Sequence, residues 1–353
     1  MRRVKSYSDR RPRSHEAEPT IVGRPKAPTF DETFVHKGRD GWLFLIGGSN
    51  SVSSLYDRSS VLAGDDTIRK WADLIEQRAR RFEARGIQYV HINVPEKLTI
   101  YDDKLWDPPI VDWRLSPAVR LREMLQRSSY GHVWLDLIEP FKDAPNKDGQ
   151  YFKTDSHWSG ERCYFAYRLL CERIGLTPEP DLLTRAHQSI DGMLDMGSKF
   201  DPPIYEPAKF YDFRMKTKRV YSNAIARYLE TPEFGAQIHV GTHVRYLNAT
   251  PGAQKKKILI FGDLFSLQRG DALTATLAET ARDVEFVWSS NLDWPFIKRV
   301  KPDIVIYELV ERFMTLVATD KLSIRRTVAR QWWKAQRLHF QARRRAARQA
   351  KLA

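Results

Sequence analysis

The stretch KILIFGDLFS, residues 257–266, reads as a buried strand running through a tight turn into a helix. Ile258, Leu259, Ile260 and Phe261 follow one another without polar alternation, the pattern of a strand covered on both faces. Gly262 permits the turn, and backbone N–H groups at a helix start favour negative charge there. Working outward, apolar runs predict further strands at 87–94, 132–137, 284–288 and 303–308, with a short one inside 40–48. Between them, three- and four-residue apolar spacings predict helices at 65–85, 115–128, 159–174, 266–282 and 293–300. Strands alternating with helices make the expected fold an α/β three-layer α/β/α sandwich with a mostly parallel sheet.

The chain of 353 residues is 42% hydrophobic, enough for a globular protein with a sizeable core. Its formal net charge of +14 sits at the ends: residues 1–30 carry +5 and residues 321–353 carry +11, leaving −2 for everything between. A nucleic-acid enzyme would carry its basic stripe on the folded body, so nucleic acid is not the expected partner. Residues 1–30 are expected to be a disordered basic arm, 31–320 one domain with an irregular insertion at 177–255, and 321–353 a basic amphipathic helix. On that helix Ile324, Val328, Trp332, Ala335 and Leu338 share a face. It suits either an anionic membrane surface or packing against the body with its charges solvated.

Cys163 and Cys171, eight residues apart on one predicted helix, lie about 12 Å apart along its axis. That exceeds the roughly 7 Å limit between the Cα atoms of a disulfide, so two buried thiols are expected and no cysteine metal site. The basic N-terminus lacks the apolar segment of a secretory signal, and no run approaches the roughly 20 apolar residues of a membrane span. The residues alone therefore suggest a cytoplasmic or peripheral membrane location.

One segment carries chemistry: YFKTDSHWSG, residues 151–160, a polar turn ahead of a helix. Asp155 and His157 stand one residue apart. A carboxylate accepting from one imidazole nitrogen fixes the tautomer and leaves the other nitrogen as a general base. Alone, the same turn suits a helix cap with an incidental histidine. Two ligand-type residues without a third nearby indicate no metal, and nothing in the sequence calls for a cofactor.

Five segments in order, GRDGWLFL, VPEKLTIY, TDSHWS, ILIFGDLFS and KPDIVIYELVER, resemble the AlgX/AlgJ-type alginate O-acetyltransferases over roughly residues 36–315. The resemblance implies an SGNH-hydrolase-like domain. It also implies acetyl transfer to hydroxyls of an exopolysaccharide, polysaccharide or biosynthetic proteins as partners, and a site outside the cytoplasmic membrane. By the D-x-H-W motif, Asp155 would orient His157, His157 would be the base, and Trp158 would pack beside them. The family's serine follows Gly-Asp in a G-D-S-F-S pattern, whereas this chain has Leu264 there. Leucine has no proton to lose and no lone pair to attack with, so covalent acyl transfer cannot run through it.

Ser266 matches the second serine of that pattern and is the remaining candidate nucleophile. Two positions along a helix turn a side chain by about 200°, so a capping role suits it better. A catalytically silent relative that binds polysaccharide or a biosynthetic partner is the alternative to an enzyme. Asp191, Asp195, Tyr205, Tyr211, Tyr221 and His243 are candidates for a glycan groove or for loop packing. Glu308 and Arg312, four apart, are expected to form a local ion pair.

Overall fold

The computed structural model describes residues 34–230, 238–267 and 269–349; the arm expected at 1–30 lies outside them. Two short strands, β1 (Val35–Lys37) and β2 (Leu43–Leu45), pair antiparallel at the start. They are followed by helix α1 (Asp65–Glu83), strand β3 (Gln88–Val94) and the single turn α2 (Lys97–Ile100). Helix α3 (Pro117–Leu125), strand β4 (Trp134–Leu135) and helices α4 (Ile138–Lys142) and α5 (Gly160–Ile174) come next. Ser159 caps α5 by accepting from the Arg162 N–H, and Gly175 ends it in the left-handed conformation at φ 72°.

The segment expected to be irregular holds regular structure. Strands β5 (His187–Met193) and β6 (Tyr205–Tyr211) form an antiparallel hairpin. Strand β7 (Thr217–Ser222), helix α6 (Ala224–Leu229) and strand β8 (His243–Asn248) follow. The last part comprises β9 (Gln254–Gly262), α7 (Leu273–Thr280), β10 (Ala281–Trp288), α8 (Trp294–Val300), β11 (Ile304–Val310) and α9 (Ile324–Gln349).

The main sheet has the order β4-β3-β11-β9-β10-β8-β7. Its first five strands are parallel neighbours, while β8 runs antiparallel to both β10 and β7. Strand β9 explains the three layers. Ile258 and Ile260 join one core with Tyr167 and Leu170 of α5 and Leu277 of α7. Leu259 and Phe261 point the other way, to Trp71, Ile75 and Phe82 of α1 and Ile297 of α8. The expected three-layer sandwich with a mostly parallel sheet is therefore present. Cys163 and Cys171 are both buried and free. No helix among the described residues is long and apolar enough to cross a membrane.

One helix differs in a way that matters for the site. The sequence predicts helix from 266 to 282, but α7 begins only at Leu273, and Ala281 already belongs to β10. Residues 263–267 form turns instead, held by the Ser266 N–H donating to the Asp263 carbonyl at 3.3 Å.

Candidate active site

Parallel strands leave their carboxyl ends at one edge, the usual place for a ligand crevice in an open α/β sheet. Here β3, β11 and β9 end side by side, with Val94 opposite Val310 and Phe261 opposite Tyr307. From β9 the chain turns at Asp263. One carboxylate oxygen of Asp263 accepts from the Phe265 N–H at 3.0 Å and the other from the Val310 N–H at 2.7 Å. The Asp263 N–H donates to Glu308 at 3.2 Å. A side chain on Gly262 would sit 2.8 Å from the Glu308 carboxylate and 3.0 Å from Ser266 Cβ, so this turn tolerates only glycine without a shift.

The second segment is the turn ahead of α5. Asp155 Oδ1 accepts from the His157 backbone N–H at 2.8 Å and stands 2.7 Å from His157 Nδ1. A carboxylate only accepts, so in the neutral ring Nδ1 carries the proton and Nε2 the lone pair. Burial works to raise the Asp155 pKa. Hydrogen bonding and charge from His157 outweigh it and bring the group down to about 2. Asp195 fastens the turn from outside: its carboxylate accepts from the Ser156 N–H at 2.8 Å and the Ser156 hydroxyl at 2.5 Å. Its own N–H donates to Asp155 Oδ2 at 3.3 Å. Ligand-type atoms of Asp155, His157 and Asp195 lie within 4.8 Å of one another. Each of the three is engaged in this hydrogen-bonded turn, an arrangement that orients an imidazole.

The two segments meet in a cleft of about 40 Å³ lined by residues including Asp155, His157, Leu264, Phe265 and Arg269. That is room for a few water molecules. Phe265 packs 5.2 Å from the His157 ring and edge-on to Trp158 at 5.0 Å, ring centre to ring centre. Leu264 is half-buried in the cleft wall, while Ser266 is fully buried and does not line it. Among the described residues its hydroxyl makes no hydrogen bond of acceptable geometry, although it interacts with the Glu308 carboxyl group. Asp155, His157 and position 264 thus come together and Ser266 does not. Its cause is burial beneath the turn rather than rotation along a helix, since no helix begins there.

A buried polar network missed by sequence reading ties these segments to the sheet. Arg312 donates from Nη2 to Glu96 at 3.1 Å and to the Ser156 carbonyl at 2.8 Å. The expected Glu308–Arg312 pair does not form, because β11 runs on to Val310 and Arg312 turns toward Glu96. Lys97 donates to the carbonyls of Phe152 and Lys153, both at 2.9 Å. Its burial lowers the ammonium pKa to about 7 against the opposing pull of Asp155, Glu206, Asp195 and Glu96. Glu206 in turn accepts from the N–H groups of Lys153 and Thr154 at 2.9 and 2.8 Å. The one local signal in the sequence was the Glu96-Lys97 pair, one proline beyond the end of β3.

The glycan-groove candidates disperse. Asp195 joins the site turn, Tyr211 is buried, and His243 pairs with Glu285 at 2.9 Å. Tyr205 and Tyr221 are about half exposed on different strand pairs, Tyr205 on the β5–β6 hairpin with Asp191, Tyr221 on β7.

Residues 35–191 match a family described as the SGNH hydrolase-like domain of acetyltransferase AlgX. No curated protein matches the sequence. Among solved structures, Bacillus cereus PatB1 carrying a sulfonyl adduct is similar at a TM-score of 0.56 and 13% identity, over 80% of this chain and 97% of that one. A DHHW family protein from Eubacterium siraeum gives a TM-score of 0.54 and 14% identity, over 80% and 95%. The O-acetyltransferase domain of Pseudomonas putida AlgJ gives 0.52 and 15%, over 84% and 99%. At these identities the likeness is one of fold. The resemblance carried by the sequence segments points the same way: residues 35–191 are similar to the SGNH hydrolase-like domain of acetyltransferase AlgX, and the fold is similar to that of the AlgJ O-acetyltransferase domain.

Proposed function

We propose that the protein is an O-acetyltransferase-type scaffold that has kept the acid–base pair and lost the covalent nucleophile. It acts by binding hydroxyl-rich exopolysaccharide, or a protein of its biosynthesis, at the cleft. The observation that carries this is Leu264 in the cleft wall with His157, where a serine would attack an acetyl carbonyl and pass its proton to the imidazole. Leu264 offers only C–H bonds there, and Ser266 is sealed beneath the turn.

A second reading is favoured by Asp155 itself, which stays ionised and hydrogen-bonded to His157. In that reading His157 takes the proton of an incoming sugar hydroxyl, the hydroxyl oxygen displaces the donor's leaving group from acetyl without an acyl-enzyme, and the imidazolium returns the proton to that departing group.

Hydrolysis of an activated acetyl ester separates the two. The expected result is an inert wild type, turnover in Leu264→Ser, and its loss in Leu264→Ser/His157→Ala. Wild-type turnover that His157→Ala abolishes would overturn the first reading in favour of the second.

A further inference from the structure

Helix α9 has no part in the cleft, and its two sides are built for different surroundings. The apolar stripe is already occupied. Ile324, Thr327 and Ala335 are buried, with Val328 and Leu338 half-buried. Ala335, Val328 and Leu338 pack with Ile225, Tyr228 and Ile238. On the opposite side Arg326, Arg330, Trp333, Arg337 and Phe340 follow at steps of four, three, four and three residues, and all are exposed. Trp333 is 77% exposed and Phe340 59%. The helix holds nine Arg and Lys and no Asp or Glu.

Solvation explains the cations of this stripe but not Trp333, because an outward indole gains nothing from water. The medium that suits both is the boundary of an anionic bilayer. There guanidinium groups meet lipid phosphates while Trp and Phe rings enter at headgroup level. We propose that α9 seats on an anionic phospholipid surface through the Arg326–Arg330–Trp333–Arg337–Phe340 stripe. Its apolar side stays docked on the body, so the contact is shallow and reversible. A second copy is a poorer occupant, since pairing two such stripes sets cation against cation. Nucleic acid is poorer too, because the body between the charged ends is close to neutral.

The test is flotation of the full chain with phosphatidylcholine vesicles, with and without phosphatidylglycerol, at low and high salt. The expected result is binding that requires phosphatidylglycerol and weakens in high salt. Trp333→Ser/Phe340→Ser should weaken it about tenfold or more. Arg326→Gln/Arg330→Gln/Arg337→Gln should remove the phosphatidylglycerol dependence. Both variants change exposed side chains, so an unchanged melting midpoint separates loss of binding from loss of fold. Absence of binding, equal binding to neutral vesicles, or full binding by the aromatic variant would each overturn the proposal. So would a wild-type dimer that the aromatic variant abolishes.

Discussion

At the scale of single residues, the site divides into what neighbours in sequence can report and what only the fold brings together. Asp155 and His157 are legible because a one-residue spacing lets the carboxylate reach both the backbone N–H and the ring of the same histidine. Glu96, Arg312 and Glu308 are not, because their partners lie 45 or more positions away. Glu308 illustrates the consequence. It is fully buried and beside Asp263, and its burial, with the Asp263 charge, pushes its pKa well up. Asp263 is raised by burial too, but two backbone N–H groups stabilise its charged form, so Glu308 is the better holder of a proton. Below the ordinary glutamate range both folded and unfolded chains hold that proton. Above it the unfolded chain releases it while the folded one keeps it, so stability falls as pH rises through this window. Glu308→Gln should remove that slope. Relative to wild type it should be more stable at about pH 8 than at about pH 4. Urea unfolding at the two pH values reads this directly, and an unchanged slope would show that Glu308 is ionised in the fold.

At the scale of elements, the buried strands were the most legible, because β9 ends in the apolar run Ile258–Phe261, β11 is apolar but for Glu308, and β3 is rich in Val, Ile and Tyr. The hairpin β5–β6 and strand β7 were not. Most of their residues face solvent, so HQSIDGM shows neither an apolar run nor a clean alternation. Helix α7 was overextended because no Gly or Pro separates it from β10, which starts at the very next residue. Asp293 shows how one side chain can serve two elements. Its Oδ1 accepts from the Phe296 N–H at the start of α8, and its Oδ2 accepts from the Ile324 N–H at the start of α9, both at 2.9 Å. Each bond satisfies a donor that has no partner inside its own helix. Asp293→Ala should lower stability by about 1–3 kcal/mol, more than a single cap is worth, and Asp293→Asn should lose roughly half as much. Urea midpoints for the two variants test this. A negligible loss in Asp293→Asn would mean that only the α8 cap matters, since the single amide oxygen of asparagine keeps that bond.

At the scale of the molecule, the alternation of strands and helices was enough to predict layers, whereas the strand order and the crossing network were not readable from local pattern. That network is what joins the sheet to the cleft. Arg312 follows β11, Glu96 follows β3, and Ser156 sits in the His157 turn, so a single guanidinium links two strand ends to the histidine segment. Arg312 is 7% exposed and Glu96 4%. Removing one partner of such a buried pair leaves the other charged and without its counter-ion, a loss of about 3–5 kcal/mol. Arg312→Met should therefore destabilise strongly. In Glu96→Gln/Arg312→Met the stranded carboxylate is gone, so the double variant should recover about 1 kcal/mol or more relative to Arg312→Met. What it cannot recover is the bond to the Ser156 carbonyl. The His157 turn should therefore exchange its backbone amide hydrogens faster in both variants, even where global stability returns. If the double variant is no more stable than Arg312→Met, the cost lies in that carbonyl bond rather than in the ion pair. The guanidinium then acts chiefly as a strut between the sheet and the turn.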